Sequence, residues 1–244
     1  MSSPLENPTT VLLTGGTSGV GAALLARLLD RGHSVVALSR TAAHLPARAG
    51  LSPVTCDLTD LVALPALVRA LVAEHPGLSV IINNAALQVA RPLTDPQSWP
   101  DDLIREAALN LTAPALIVQA ALPHLLGLGQ GAIVNISSGL ATFPKERGGL
   151  YSATKAGLSS FTTSLRWQVE ASSLLVTEVV LPMVDTPMTA GRSRGRTISP
   201  EAAADAILRG IDARRPVVRV AAARALPVIA SLAPWLGRRM LRGN

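Results

Sequence analysis

The feature that most constrains this chain is a cluster of glycines set between a strand and a helix near its amino terminus. Residues 9–14 (TTVLLT) are β-branched and apolar, residues 15–21 read Gly-Gly-Thr-Ser-Gly-Val-Gly, and an apolar-periodic run follows over 22–29 before Arg31-Gly32. Glycine just beyond a last turn is the usual helix stop, so the order is strand, loop, helix. Glycines at the start of a helix remove side-chain bulk. Backbone N–H groups can then close on a pyrophosphate, and the helix dipole favours its negative charge. The candidate contacts are Gly15, Thr17, Ser18, Gly19, Val20 and Gly21. Their spacing differs from the general G-x-G-x-x-G dinucleotide fingerprint, and the same glycines also read as a tight turn.

The rest of the chain repeats this alternation. Strands are predicted over 34–39 (SVVALS), 51–56, 78–82 (LSVII), 131–137 (GAIVNIS), 174–181 (LLVTEVVL) and 216–220 (PVVRV). Helical periodicity covers 60–74 despite Pro65, and 101–126, where Pro114 and Pro123 are expected to interrupt it; a further helix starts near Ser199-Pro200-Glu201. Near-continuous apolar strands between helices imply a parallel sheet covered on both faces. The expected fold is therefore α/β, a doubly wound, seven-stranded parallel sheet with helices on both faces. At 244 residues, with no linker or repeat, the chain fits one such domain over 1–244.

In such sheets ligands bind at the carboxyl ends of the strands. Arg40 stands at the end of the second strand beside Ser39. An acid there would bind a free ribose 2′-hydroxyl and repel a 2′-phosphate; a guanidinium does the opposite, so NADP(H) is predicted over NAD(H). Asp57-Leu58 closes the third strand, where a carboxylate can accept a hydrogen bond from an adenine amino group. Asn83-Asn84-Ala85-Ala86 closes the fourth. Its asparagines suit either a nearby ribose or the capping of sheet-edge backbone. Asn110, an indifferent helix former inside an apolar helical run, calls for a specific reason.

Tyr151 and Lys155 lie four residues apart, on one face of a helix, with Ser138 thirteen residues upstream at the end of the fifth strand. Tyr151 is the chain's only tyrosine, and Lys155 is one of two lysines among twenty-two basic residues. A phenol titrating near 10 is a poor proton shuttle at neutral pH. A fixed cation beside it is expected to lower that value and permit exchange with an alcohol or carbonyl oxygen.

Charge and composition narrow the alternatives. Residues 192–244 hold eleven arginines against three acids, while the chain as a whole carries +6. The basic tail has no interleaved aromatics and no nucleic-acid motif, which argues against a nucleic-acid partner. The single cysteine, Cys56, cannot form an internal disulfide, and residues 1–8 lack a basic n-region and an apolar run, so a cytoplasmic protein is expected. No metal site is expected.

Taken together, TGGTSGVG at 14–21, NNAA at 83–86, NISSG at 135–139 and YSATK at 151–155 resemble the short-chain dehydrogenase/reductase family, over residues 9 to about 213. The resemblance implies that Tyr151 is the general acid-base, that Lys155 holds the nicotinamide ribose, that Ser138 polarises the substrate oxygen, and that Asn110 supports a water in a proton relay. It also implies cofactor contacts at Asp57, Leu58, Asn84, Ala85, Ala86, Pro182, Val184 and Thr186. Two positions depart from the family pattern: Ala86 replaces a common glycine, and Met183 follows Pro182 where Pro-Gly is usual. Methionine would be strained there if the backbone needed a positive φ. The Pro182-Met183 and VDTP context leans toward a DltE-like branch.

Residues 186–198 read as a polar lid in which Arg192, Arg194 and Arg196 either meet an anionic group or form a solvated loop. The apolar stretch 225–236, within a basic segment 223–244, is too short to span a bilayer as a helix. It suits a membrane interface, a cover over substrate or, as preferred here, packing against another subunit in a homodimer or homotetramer. The expected function is hydride exchange between NADP(H) and a small carbonyl or secondary alcohol. A non-catalytic NADP(H) sensor and a peripheral membrane reductase of a lipidic substrate are the alternatives.

Overall fold

A computed structural model describes residues 2–95, 100–191 and 197–241. The strands are β1 Thr10–Thr14, β2 Ser34–Ser39, β3 Leu51–Thr55, β4 Leu78–Asn83, β5 Ala132–Ser138, β6 Leu175–Leu181 and β7 Val217–Arg219. They form one parallel sheet in the order β3-β2-β1-β4-β5-β6-β7. The order reverses between β1 and β4, so the connections diverge there and open a crevice at the carboxyl edge. All strands point the same way, so the residues singled out at their ends share that edge.

The helices cover both faces, as their apolar stripes require. α1 (Gly19–Asp30) and α6 (Pro200–Asp212) pack Leu24, Leu28, Ile207 and Ile211 against Val11, Leu13 and Val179. On the other face α2 (Leu64–Glu74), α4 (Ala113–Gly127) and α5 (Gly149–Gln168) bring Val68, Ile117, Leu125 and Leu165 onto Leu12, Ile81 and Ile133. The strand residues that alternate between these two clusters are almost fully buried, which is why the strands lack a polar face.

Prolines mark the main differences from the expected helices. α2 starts at Leu64, so that Pro65 falls in its first turn, where a missing N–H costs nothing. The long third helix is divided into α3 (Pro100–Ala107), a π-helical turn over Ala108–Thr112, and α4. Pro114 is in the first turn of α4 and has no N–H to offer Asn110, one turn earlier; the N–H of Ala113 reaches instead to Ala108, five residues back. Pro123 interrupts nothing and lies inside α4. Residues 100–127 are long and apolar enough to cross a membrane by length and composition, but Ile117, Val118, Ala121 and Leu125 pack against the sheet as core. Beyond β7 come α7 (Leu226–Leu232) and α8 (Pro234–Leu241).

Candidate active site

The glycine loop is closed by contacts that tolerate no side chain. Gly15 and Gly19 have φ of +70° and +53°, and a methyl group on either would approach Ala85 or Thr186 to 2.9 Å. One on Gly21 would lie 1.9 Å from the Gly15 carbonyl oxygen and 2.5 Å from the Asn84 amide. The loop is therefore folded tightly on itself, with Val20 buried and the start of α1 left open; Ser18, the N-cap residue, makes no side-chain hydrogen bond to it. Free N–H groups at a glycine-cleared helix start fit a dinucleotide pyrophosphate.

Asn84 serves this loop. Its side-chain amide donates to the carbonyls of Thr14 (3.0 Å) and Gly15 (3.2 Å), while the backbone N–H groups of Asn84 and Ala85 donate to the Thr14 hydroxyl. Of the two roles open for this asparagine, its side chain takes the backbone-capping one. Asn83 takes neither role: it is buried in the core and donates to the Asn135 side chain, which in turn donates to Thr162 of α5.

At the end of β2, the hydroxyls of Ser39, Thr17 and Thr41 lie 3.2–3.3 Å from one another beside the exposed Arg40. Three hydroxyls and a guanidinium make a donor-rich patch suited to a phosphate. Thr41 was not anticipated from the sequence. Asp57 is held below the usual carboxylate range, first by the N–H and hydroxyl of Thr59 and then by Arg105 and Arg40. One of its oxygens is used by Thr59 and the other faces Arg105 at 3.8 Å. Leu58 and Val184 turn their side chains into the core, so only their backbones can meet a ligand. Beyond β6, Pro182 is half-buried, Met183 is exposed and Thr186 abuts Gly19. Met183 does not adopt a positive φ, so the methionine carries none of the strain a glycine would be needed to relieve. Ala86 is accommodated, half-buried, in the segment after β4. Arg192, Arg194 and Arg196 lie outside the described residues.

The second group of residues gathers around the first turns of α5. Ser138 acts to lower the pKa of the Tyr151 phenol, and the serine hydroxyl accepts from the N–H of Leu140 (3.2 Å). Lys155, one turn on, is buried; its amine donates to the Ile136 carbonyl (2.8 Å) and lies 5.7 Å from the centroid of the Tyr151 ring. Asn110, in the π turn, accepts from the N–H of Leu87 and donates to its carbonyl, both at 2.8 Å, and donates to Thr154 at 3.2 Å. It is thus committed to bracing the segment after β4 against α5.

The electrostatics correct one expectation. Burial pushes the Tyr151 phenol up to about 12, Glu106 adds to the rise, and only the Ser138 hydrogen bond opposes it. Burial alone pulls Lys155 down to about 8. The lysine does not bring the phenol toward neutrality. Desolvation dominates, and the ammonium is turned to a backbone carbonyl and is itself destabilised by burial. Glu106 was also missed in the sequence. It is fully buried on α3, and desolvation raises it to about 7.

The segment beyond β7 packs onto the loop that follows Ser138. A methyl group on Gly139 would meet Leu226 at 3.0 Å, and one on Gly237 would meet the Phe143 ring at 2.5 Å. A cavity of about 280 Å³ lies here, lined by Ser138, Thr142, Ser159, Glu178 and Pro227, among others. Part of the apolar tail is therefore used within its own chain, and Val228, Leu232 and Trp235 remain outward.

The family model for short chain dehydrogenases matches residues 9–197. The chain belongs to the short-chain dehydrogenase family. Among curated relatives, the short-chain dehydrogenase described here is 38% identical to DltE of Bacillus subtilis, an uncharacterized oxidoreductase, over 184 residues, which is 72% of either chain. It is 30% identical to the fatty acyl-CoA reductase of Acinetobacter baylyi over 91% of this chain and 79% of that one. Among solved structures it superposes with a TM-score of 0.78 on a short-chain dehydrogenase from Sphingobium yanoikuyae in complex with NADPH, 28% identical, covering 94% of this chain and 95% of that one. An oxidoreductase with a nucleotide cofactor follows for this short-chain dehydrogenase.

Proposed function

We propose that this protein is an NADP(H)-dependent reductase of a carbonyl group, with Tyr151 as its general acid. The observation that carries the reading is the gathering of Ser138 at the end of β5 with Tyr151 and Lys155 on α5, the lysine amine 5.7 Å from the Tyr151 ring centroid and Ser138 acting to lower the pKa of the phenol. Bound NADPH would supply the hydride, held by the glycine loop and by the Thr17, Ser39, Arg40 and Thr41 patch. Ser138 donates to the substrate oxygen as negative charge grows there. Tyr151 gives its proton to the same oxygen, and Lys155 is one turn away to stabilise the phenolate left behind. A phenol held well above 10 is protonated at neutral pH, as the donor of a proton to a carbonyl oxygen must be.

Preference for NADP(H) is supported by Arg40 and the three hydroxyls, with no acid at the end of β2. An apolar substrate is supported by the exposed Met183 and by Leu226 and Pro227 beside Ser138, and it accords with the name of the Acinetobacter relative. We also propose a cytoplasmic homodimer or homotetramer, for which Trp167 on α5 and Ile104 on α3, 69% and 65% exposed, offer apolar surface.

NADPH oxidation against a panel of aldehydes and ketones of increasing chain length tests the reading. Tyr151→Phe is expected to lower turnover about 10²–10⁴-fold while nucleotide affinity is kept. Unchanged turnover would remove the phenol from the mechanism, and nucleotide binding without turnover of any carbonyl would favour a sensor.

A further inference from the structure

The last helices carry apolar surface that the rest of the chain does not use. α7 reads Leu-Pro-Val-Ile-Ala-Ser-Leu, with Ser231 its single polar side chain. On its inner side Leu226 lies on Gly139, and Ile229, three residues on, is half-buried with it. Val228 and Leu232, one turn apart, face outward and are 59% and 79% exposed; Trp235, in the first turn of α8, is 64% exposed. A helix that is apolar all round is normally covered all round. Among the described residues nothing covers the outer side, and the apolar helical run Ala221–Leu232 is too short to cross a bilayer.

The charge around this face has one sign. After Asp212 the chain has seven arginines and no acid. Arg219 at the end of β7, Arg224 just before α7 and Arg239 on α8 are exposed. The last two acids, Asp205 and Asp212, are paired with Arg27 and Arg31 of α1, so their charge is met there and not in the tail.

Apolar side chains flanked by arginine narrow the choice of occupant. A second copy of this chain, the occupant expected from the sequence, would set arginine against arginine across a twofold interface. A nucleic acid would answer the charge but leave Val228, Leu232 and Trp235 in water. An anionic lipid surface answers both: the apolar side chains enter the acyl boundary, the indole suits the headgroup level, and the guanidinium groups stay with the lipid phosphates. We propose that α7 and α8 dock on an anionic membrane surface, with Val228, Leu232 and Trp235 entering it and Arg224 and Arg239 meeting the headgroups. Pro227 of α7 lines the same cavity as Ser138, so the docked surface lies one helix diameter, about 10 Å, from the loop after β5. Trp167 and Ile104 are left for subunit contacts. Docking requires no turnover, so it stands or falls separately from the reading of Tyr151.

Flotation of the full chain with lipid vesicles tests the proposal. The wild type is expected to rise with phosphatidylcholine vesicles containing about one-third phosphatidylglycerol and to stay behind with pure phosphatidylcholine. In about 1 M salt, where the screening length falls to about 3 Å, partitioning onto the anionic vesicles should drop at least about tenfold. Leu232→Asp with Trp235→Asp, and separately Arg224→Gln with Arg239→Gln, should each lower partitioning at low salt by about tenfold or more, with the unfolding midpoint unchanged. No flotation with anionic vesicles, or equal flotation with neutral ones, would overturn the proposal. An apolar variant that still floats would overturn it too, because binding would then rest on charge alone or on another surface. If the wild type does not float and the apolar variant has a lower oligomeric state, the face is a subunit contact and the proposal fails. The wild-type lipid and salt series carries the test even if a variant does not fold.

Discussion

The two sides of the crevice are built on opposite principles. The half that faces a dinucleotide, from β1 through the loop after β4, is made of backbone: glycines at contact distance, a helix start without a cap, and an asparagine whose side chain satisfies main-chain carbonyls. The half around α5 is made of side chains taken out of water, with Tyr151, Lys155 and Glu106 all shifted toward their neutral forms by burial. One half is preorganised by close packing and satisfied hydrogen bonds. The other holds ionisable groups at a cost in stability, so that a proton has somewhere to go.

The largest effect expected from this contrast is on stability as a function of pH. Glu106 is raised in the fold from 4.5 to about 7, so the stability it contributes is complete below 4.5 and lost as pH rises through 7. Lys155 is lowered from 10.5 to about 8, so its contribution is complete above 10.5 and lost as pH falls through 8. Both groups are charged between about 7 and 8, where the catalytic half is expected to be least stable. Glu106→Gln should gain on the order of 3 kcal/mol over wild type between pH 4.5 and 8, read as a widening gap in unfolding midpoint. A gap that stays constant with pH would mean that this half stores no such cost.

The remaining tests address the nucleotide half. Arg40→Glu is expected to lose about 1.5–3 kcal/mol of preference for NADPH over NADH, roughly a ten- to hundredfold change in the ratio of affinities, with little change in melting temperature. An unchanged ratio would take the 2′-phosphate away from this patch. Gly21→Ala forces a methyl group against the Gly15 carbonyl and should cost about 1–3 kcal/mol together with at least about tenfold in nucleotide affinity, measured by thermal unfolding and NADPH fluorescence. Met183→Gly should be the mildest: no positive φ is relieved, so stability is expected to change by less than about 0.5 kcal/mol, and any change in KM would report on the pocket wall.

The difference between the halves also explains what could be read in advance. Strands ending at Thr14, Ser39, Asn83 and Ser138, the glycine loop, Arg40, and the Ser138–Tyr151–Lys155 set all follow from short-range pattern, because apolar period, glycine and one-turn spacing are local properties. The π turn is half legible: Pro114 predicts an interruption of the helix and Asn110 a specific role, but neither predicts a shift of hydrogen-bond register. Thr41 escaped because a hydroxyl in a loop has no signature of its own. Glu106 escaped because an acid among Asp101, Asp102 and Arg105 reads as part of a solvated helix face.

The sequence by itself determined the sheet, the crevice and the chemical types brought to its edge, since alternating apolar strands and helices of this length have few other ways to bury their surface. Only the tertiary structure decided which way the ionisable groups are shifted. Burial raises Tyr151 and lowers Lys155, so the lowering of the phenol expected from one-turn spacing is absent. Desolvation depends on everything that surrounds a group, and that enclosure is assembled from segments far apart in the chain.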